Sequence, residues 1–254
     1  MQSKTTIKSK LESEEELRHE KDVVKMWMPY KDKVDENYKF INNNIFFKLV
    51  SNILLYGIAL PILTVITKIT FGFKVKGKEN LKKVKGAKIT VSNHVHIIDC
   101  TMCAIALAPT KVFFPTIADN FRIPVVKTLL KLLNAIPIPK GLRGKTQFIK
   151  ALRKLIKEGH TLHFYPEGNL IPYDNKLENL KKGAFKLAYE NNVPVVPMVF
   201  TYRKPTGFRK ITNKKPLLTL NILEPIYIKD KKNIDKIIAK VQTEMIEMIN
   251  KSKC

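Results

Sequence analysis

Cysteine, glycine, tryptophan and acidic side chains are all scarce in this 254-residue chain: three, ten, one and 22, the acids facing 46 lysines and arginines. Three cysteines, Cys100, Cys103 and Cys254, are too few for a disulfide scaffold, and the stretch after Met1 lacks the short apolar run of a cleaved secretory signal. Both features lead us to expect a reducing, cytoplasmic setting. The shortage of acid leaves a formal charge of +24, which calls for anionic partners: a phospholipid surface, a phosphorylated small molecule or nucleic acid. Residues 1–25 carry six basic and six acidic side chains, so the excess lies downstream of them. The low apolar content of a disordered chain is missing too. At 44% hydrophobic, the chain can bury a full core and reads as one large α/β unit with an appendage.

What is present falls into three blocks. Residues 1–44 are a polar, charge-mixed extension in which Ser13 opens the amphipathic pattern SEEELRHEKDVVKMW, read as a helix. Residues 45–73 are a hydrophobic membrane anchor with no charge between Lys48 and Lys68, about long enough to cross a bilayer at ~1.5 Å per residue. Pro61, Gly57 and Asn52 interrupt it, so a spanning helix and a bent hairpin in one leaflet both stay open, as does a buried core helix. The lysines from Lys74 to Lys88 place the remainder on the cytoplasmic side of a cell membrane, against anionic head groups. Residues 74–254 form the third block. There the β-type runs KITVSN, KVFFPTIA, NAIPIP, TLHFYP, VPVVPMVF and LLTLNIL alternate with helical patterns, which means a largely parallel sheet flanked by helices. In TQFIKALRKLIKEGH the apolar face is Phe148, Ala151, Leu152, Leu155 and Ile156, and Gly159 is the stop; a last amphipathic helix covers about 233–250.

The strand KITV delivers Asn93, His94 and His96 to its carboxyl end, where ligands bind in open α/β sheets. Asp99 lies one helical turn beyond His94. It can bond one ring nitrogen and leave the other as a base, though the same spacing also serves an ordinary capped helix start. No serine or cysteine nucleophile stands beside the pair, so the hydroxyl to be deprotonated is assigned to a substrate. His96, with no carboxylate at comparable spacing, reads as lining. HFYPEGN sets Glu167 and Gly168 at the same edge, where the glutamate is expected to be exposed. IPIPKGLRGK carries Lys140, Arg143 and Lys145 on a loop, and Lys181 and Lys182 open a helix, so several cations can converge on a phosphate. Pro194 and Pro197 bracket an apolar strand suited to forming a wall. The C-x-x-C of Cys100 and Cys103 has no partner ligands and reads as packing, so no metal is expected.

In order, VKGKENL, SNHVHIID, the IPIPK loop, FYPEGN, KKGAFKLA and VPVVPMVF resemble the glycerolipid acyltransferases, the 1-acyl-glycerol-3-phosphate acyltransferases of the PlsC type, over roughly residues 75–228. That family's first motif, N-H-x-x-x-x-D, is matched by Asn93, His94 and Asp99. Its third, usually E-G-T-R, is matched at Glu167 and Gly168, while Asn169 and Leu170 replace the threonine and the phosphate-binding arginine. Its second commonly ends in arginine; here Lys140 stands instead, with Arg143 nearby, and the proline motif is at 193–197. The resemblance implies an O-acyltransferase in which His94 is the general base and Asp99 orients it. Asn93, Glu167, Gly168, Lys140 and Arg143 would bind substrate, and backbone groups near Gly168 or the His94 turn would hold the oxyanion. The acyl group would come from acyl-CoA or acyl carrier protein, with no other cofactor. It would pass to a lysophospholipid, first of all 1-acyl-glycerol-3-phosphate, to give phosphatidate. Leu170 leaves a different lysolipid acceptor open. The rival class, a basic nucleic-acid-binding protein, finds no helix-turn-helix spacing, zinc ligands or aromatic-interleaved basic strand, and nucleic acid is not an expected partner.

Overall fold

The computed structural model describes residues 34–252 except 36, 122–123, 174–175, 208 and 213–214. The expected helix at Ser13 and the third cysteine, Cys254, lie outside the described residues. Numbered along the chain, the strands are β1 (Lys74–Lys76), β2 (Lys88–Ser92), β3 (Val112–Ile117), β4 (Ala135–Ile138), β5 (Thr161–Phe164), β6 (Val195–Arg203) and β7 (Leu217–Ile222). They build one sheet in the order β1-β7-β6-β2-β5-β3-β4, parallel throughout except for the antiparallel β6–β7 pair. All six expected strands are present. β1, a three-residue Lys-Val-Lys, has no sequence signal of its own. Pro197 sits inside β6 opposite Val91 rather than bracketing the strand, and its carbonyl accepts from Leu223 N–H.

The period-2 alternation of the strands separates two cores. Ile89, Val91, Leu162, Val195 and Val199 face one side, where they meet α4 (Leu142–Lys157), α5 (Gly183–Glu190) and α6 (Ile234–Lys251). Val196, Met198, Phe200, Leu218 and Leu220 face the other, against α2 (Asp99–Leu107). Each such side chain, fully buried, stabilises the fold by roughly 1.5–3 kcal/mol. α4 forms because Phe148, Leu152, Leu155 and Ile156 recur on one stripe and are buried; Ala151 beside them is half-buried. Gly159, at φ 84°, turns the chain out of α4 into β5.

The apolar segment is one unbroken helical run, α1 (Ile45–Phe71), capped by Asn44 accepting from Phe47 N–H and ended by Gly72 at φ 52°. Its middle, Ile53–Ala59, widens into π-helical turns just before Pro61, whose ring excludes the usual contact with the carbonyl four residues back. No hairpin forms. A core helix is also excluded, since Ile45, Phe46, Ile53, Ile62, Val65 and Ile69 are each at least half exposed. Only a narrow inner stripe is buried: Ser51, Leu55, Leu60 and Thr67, with Ser51 Oγ donating to the Leu132 carbonyl of α3 (Pro124–Leu132). By length and composition α1 can cross a membrane. Both of its halves nevertheless rest on the α/β domain, the first on α3 and the second on α2.

Candidate active site

Strand β2 ends at Ser92, and the chain then turns through residues 93–98 before α2 begins at Asp99. That turn folds the fully buried Asp99 carboxylate back over its own start. Oδ2 accepts from Val95 N–H at 2.9 Å, from His96 N–H at 3.2 Å and from the His94 ring at 2.7 Å. Three donors on one oxygen require a carboxylate there and put a proton on His94 Nδ1. Nε2 is therefore the basic nitrogen of the neutral ring, and the His94 side chain is partly open to solvent.

Behind this pair lies a layer of aromatic rings that sequence reasoning did not select. Tyr165 stacks on His94 with ring centroids 4.0 Å apart and planes 18° from parallel. His163, completely buried, meets Tyr165 edge-on at 4.7 Å. Its Nδ1 lies 2.8 Å from Thr90 Oγ1 and its Nε2 3.3 Å from Ser92 Oγ, which in turn donates to the Asn93 carbonyl. Burial, with His94 as a smaller cause, lowers the His163 pKa to about 3, so the ring stays neutral. Burial likewise holds the Tyr165 hydroxyl protonated well above its usual range, with Asp99 adding to the effect. The alternation that points Leu162 and Phe164 into one core sends His163 and Tyr165 to the α2 face. Period 2 counted back from the Glu167 turn was the available signal.

Two expected substrate contacts are corrected. Asn93 is buried, donates to the Phe200 carbonyl at 3.0 Å and accepts from Phe200 N–H at 2.7 Å, so its amide clamps β2 to β6 beneath the surface. Glu167 is buried rather than exposed, its oxygens accepting from His94 N–H at 2.8 Å and Glu178 N–H at 3.0 Å. Burial raises its pKa while those two amides pull it back down. The glutamate thus braces the His94 turn. The expected oxyanion donors are also taken: the His94, Val95 and His96 amides serve the two carboxylates, and Gly168 N–H donates to the Tyr165 carbonyl.

The cations divide by distance. Lys140, at the end of edge strand β4, pairs with Asp119 at 3.2 Å, and Arg143 lies in the first turn of α4 rather than on a loop. Both share the sheet's carboxyl edge with His94 but start three strand spacings away, roughly 14 Å. Lys181 is nearer. Its ammonium sits over Gly168, at φ 77°, so closely that a Cβ there would strike it. Lys215, on the other flank, lies 4.8 Å from the centre of the Tyr173 ring, which meets His96 edge-on. His96 also packs on Phe71 at the end of α1, and burial lowers its pKa. Cys100 and Cys103 line the back of α2 with thiols that burial pushes up, Cys100 to about 11.

Comparison with known proteins bears on the family and the fold. A family model described as Acyltransferase matches residues 72–201. The chain is 30% identical over 157 residues to 1-acyl-sn-glycerol-3-phosphate acyltransferase BAT2, chloroplastic, of Brassica napus, covering 60% of this chain and 44% of that protein. It is 28% identical to the 1-acyl-sn-glycerol-3-phosphate acyltransferase of Bacillus subtilis, covering 69% of this chain and 84% of the other. The chain thus spans less than half the length of the plant relative. Among solved structures, the 1-acyl-sn-glycerophosphate acyltransferase PlsC of Thermotoga maritima has the same fold. The TM-score is 0.53 at 20% identity, covering 82% of this chain and 95% of that one.

Proposed function

This chain belongs to the Acyltransferase family, and on that premise we propose that it acylates the free hydroxyl of a lysophospholipid, first of all 1-acyl-glycerol-3-phosphate, to give phosphatidate. The donor is a thioester of coenzyme A or of acyl carrier protein. His94 Nε2 takes the acceptor's hydroxyl proton as that oxygen attacks the thioester carbon. The adduct then collapses: the C–S bond breaks and the leaving thiolate recovers the proton from the imidazolium. Asp99 holds the Nδ1–H tautomer and stabilises the charged ring. One observation carries this reading. A carboxylate-oriented histidine presents its basic nitrogen at the sheet's carboxyl edge, and the candidate nucleophiles beside it among the described residues are spent. Cys100 and Cys103 are held as thiols, and the Ser92 hydroxyl is bound between His163 and the Asn93 carbonyl. The nucleophile therefore comes with the substrate.

For the acceptor phosphate, Lys181 over the Glu167–Gly168 turn replaces the missing arginine at Leu170, and Lys140 and Arg143 reach in from further out. On the same reading the enzyme works on the cytoplasmic face of a cell membrane, with α1 lying in one leaflet. Standing α1 across the bilayer would carry Lys111, bonded to Asn52 of α1, towards hydrocarbon at roughly 2.5–3.5 kcal/mol per charge. The test is to incubate the purified full-length protein with mixed lysophospholipids and acyl-CoA or acyl carrier protein thioester, and to identify products by mass. Phosphatidate is expected, with turnover falling roughly 100-fold or more in folded His94→Ala and acceptor KM rising in Lys181→Ala. Preference for a lysolipid with a larger head group would overturn the acceptor, and full activity in His94→Ala the mechanism.

A further inference from the structure

At the opposite, amino-terminal edge of the sheet lies a cavity of about 840 Å³, walled by the residues before α1, the first half of α1, the starts of β3 and β4 and the end of α4. The length of β2, about 16 Å at ~3.3 Å per residue, separates it from His94, so it plays no part in the chemistry above. Four lysines line it, Lys39, Lys48, Lys111 and Lys131, against one carboxylate among the described residues, Glu158, which His160 and Lys154 already approach at 3.6 and 3.9 Å. Glu158 attracts Lys111, while the contacts that Lys111 and Lys131 make at close range are with neutral groups. Lys111 Nζ donates to Asn52 Oδ1 at 3.2 Å and lies over Phe113, and Lys131 Nζ lies 5.0 Å from the centre of the Tyr38 ring. Burial lowers the pKa of both lysines; Lys48 lowers that of Lys111 further, with Glu158 opposing it by less, and Lys127 lowers that of Lys131. Asn134, another lining residue, is 4% exposed, yet its side-chain amide nitrogen has no hydrogen-bond partner among the described residues. A buried donor left unpaired costs about 1–3 kcal/mol, and an acceptor in the cavity would remove that cost.

We propose that this cavity is a second ligand site and binds a phosphate group, with Lys111 and Lys131 as charged donors, Asn134 as neutral donor and Lys48 adding field. Its remaining wall, Phe47, Phe113, Ile136 and Leu155, accepts an apolar portion of the ligand, and its volume falls in the range of small-molecule pockets. Because α1 forms one side, the phosphate can belong to an anionic lipid head group or to a soluble phosphate.

The experiment is calorimetric titration of inorganic phosphate into the full-length protein, repeated in the Lys111→Gln/Lys131→Gln double variant and in Lys181→Ala. Circular dichroism verifies the fold of each. A saturable site is expected whose Kd rises about 10-fold or more in the double variant and is unchanged in Lys181→Ala, which separates it from the site at His94. Phosphatidylcholine vesicles with or without phosphatidylserine are then added to the phosphate-loaded protein. Displacement only by the anionic vesicles assigns the site to a lipid head group; retention of phosphate beside both assigns it to a soluble ligand. A folded double variant that binds phosphate as the wild type does, or a wild type that binds none, overturns the proposal.

Discussion

At the residue scale, much of what surrounds His94 serves to orient it. Tyr165 covers one face of the imidazole with its ring, while its hydroxyl lies 4.0 Å from Cys103 Sγ and interacts with the Asp99 side chain. As a positioning residue it should act on turnover more than on binding. Tyr165→Ala should lower kcat roughly 10-fold with a smaller change in KM, and Tyr165→Phe should restore most of it; steady-state kinetics of the two variants separates ring from hydroxyl. His163 belongs to the same layer and makes a second, thermodynamic demand. Its folded pKa of about 3 lies below the ~6.5 of the unfolded chain, so between those values the unfolded state binds more protons and stability falls as pH falls. The slope from this one group reaches at most about 1.4 kcal/mol per pH unit, and none of it remains above neutrality. Urea midpoints of wild type and His163→Gln at pH 7 and pH 5 test this, the variant being expected to lose less on acidification. Equal losses would mean that other groups set the acid limit.

Elements show where the sequence was legible and where it was not. The six apolar runs became strands because β-branched and aromatic stretches bounded by turn residues have few other ways to be buried. The direction of β7 was not legible, because LLTLNIL reads alike in parallel and antiparallel pairing. That antiparallel return brings Lys215 beside His96, a neighbour no spacing rule encodes. The His94–Asp99 contact spans one turn and could be inferred. The role of Glu167 could not, because its second partner is an amide eleven residues on, in an irregular segment. Its two hydrogen bonds make the β5 turn, the His94 turn and the approach to α5 into one unit. Glu167→Gln replaces one acceptor oxygen with an NH₂ group facing a backbone N–H, which leaves both donors unpaired. A loss of about 1–3 kcal/mol is expected, visible as a lower Tm before substrate is added. An unchanged Tm with reduced activity would return Glu167 to the list of direct substrate contacts.

For the whole molecule, the proposed membrane attachment raises the question of how +24 and an exposed apolar helix would divide the work. The two terms respond differently to salt. Lysines near an anionic surface contribute about 1 kcal/mol each, and the Debye length shrinks from about 10 Å at 0.1 M salt to about 3 Å at 1 M, so this attraction fades. Insertion of the exposed Ile62, Val65, Ile66 and Ile69 into a bilayer would not depend on counterions and would persist. Sedimentation with anionic vesicles should therefore show binding that weakens with salt but levels off above zero, while phosphatidylcholine vesicles show only the salt-independent part. Ile62→Lys/Val65→Lys puts two charges on the outer face of α1 without touching the inner stripe of Ser51, Leu55, Leu60 and Thr67. Its binding should survive on anionic vesicles at low salt and vanish at high salt. If 1 M salt strips the wild type completely, α1 does not enter the bilayer. The lysines would then hold the protein to the surface alone, and the proposed lysolipid acceptor would have to leave the leaflet to reach His94.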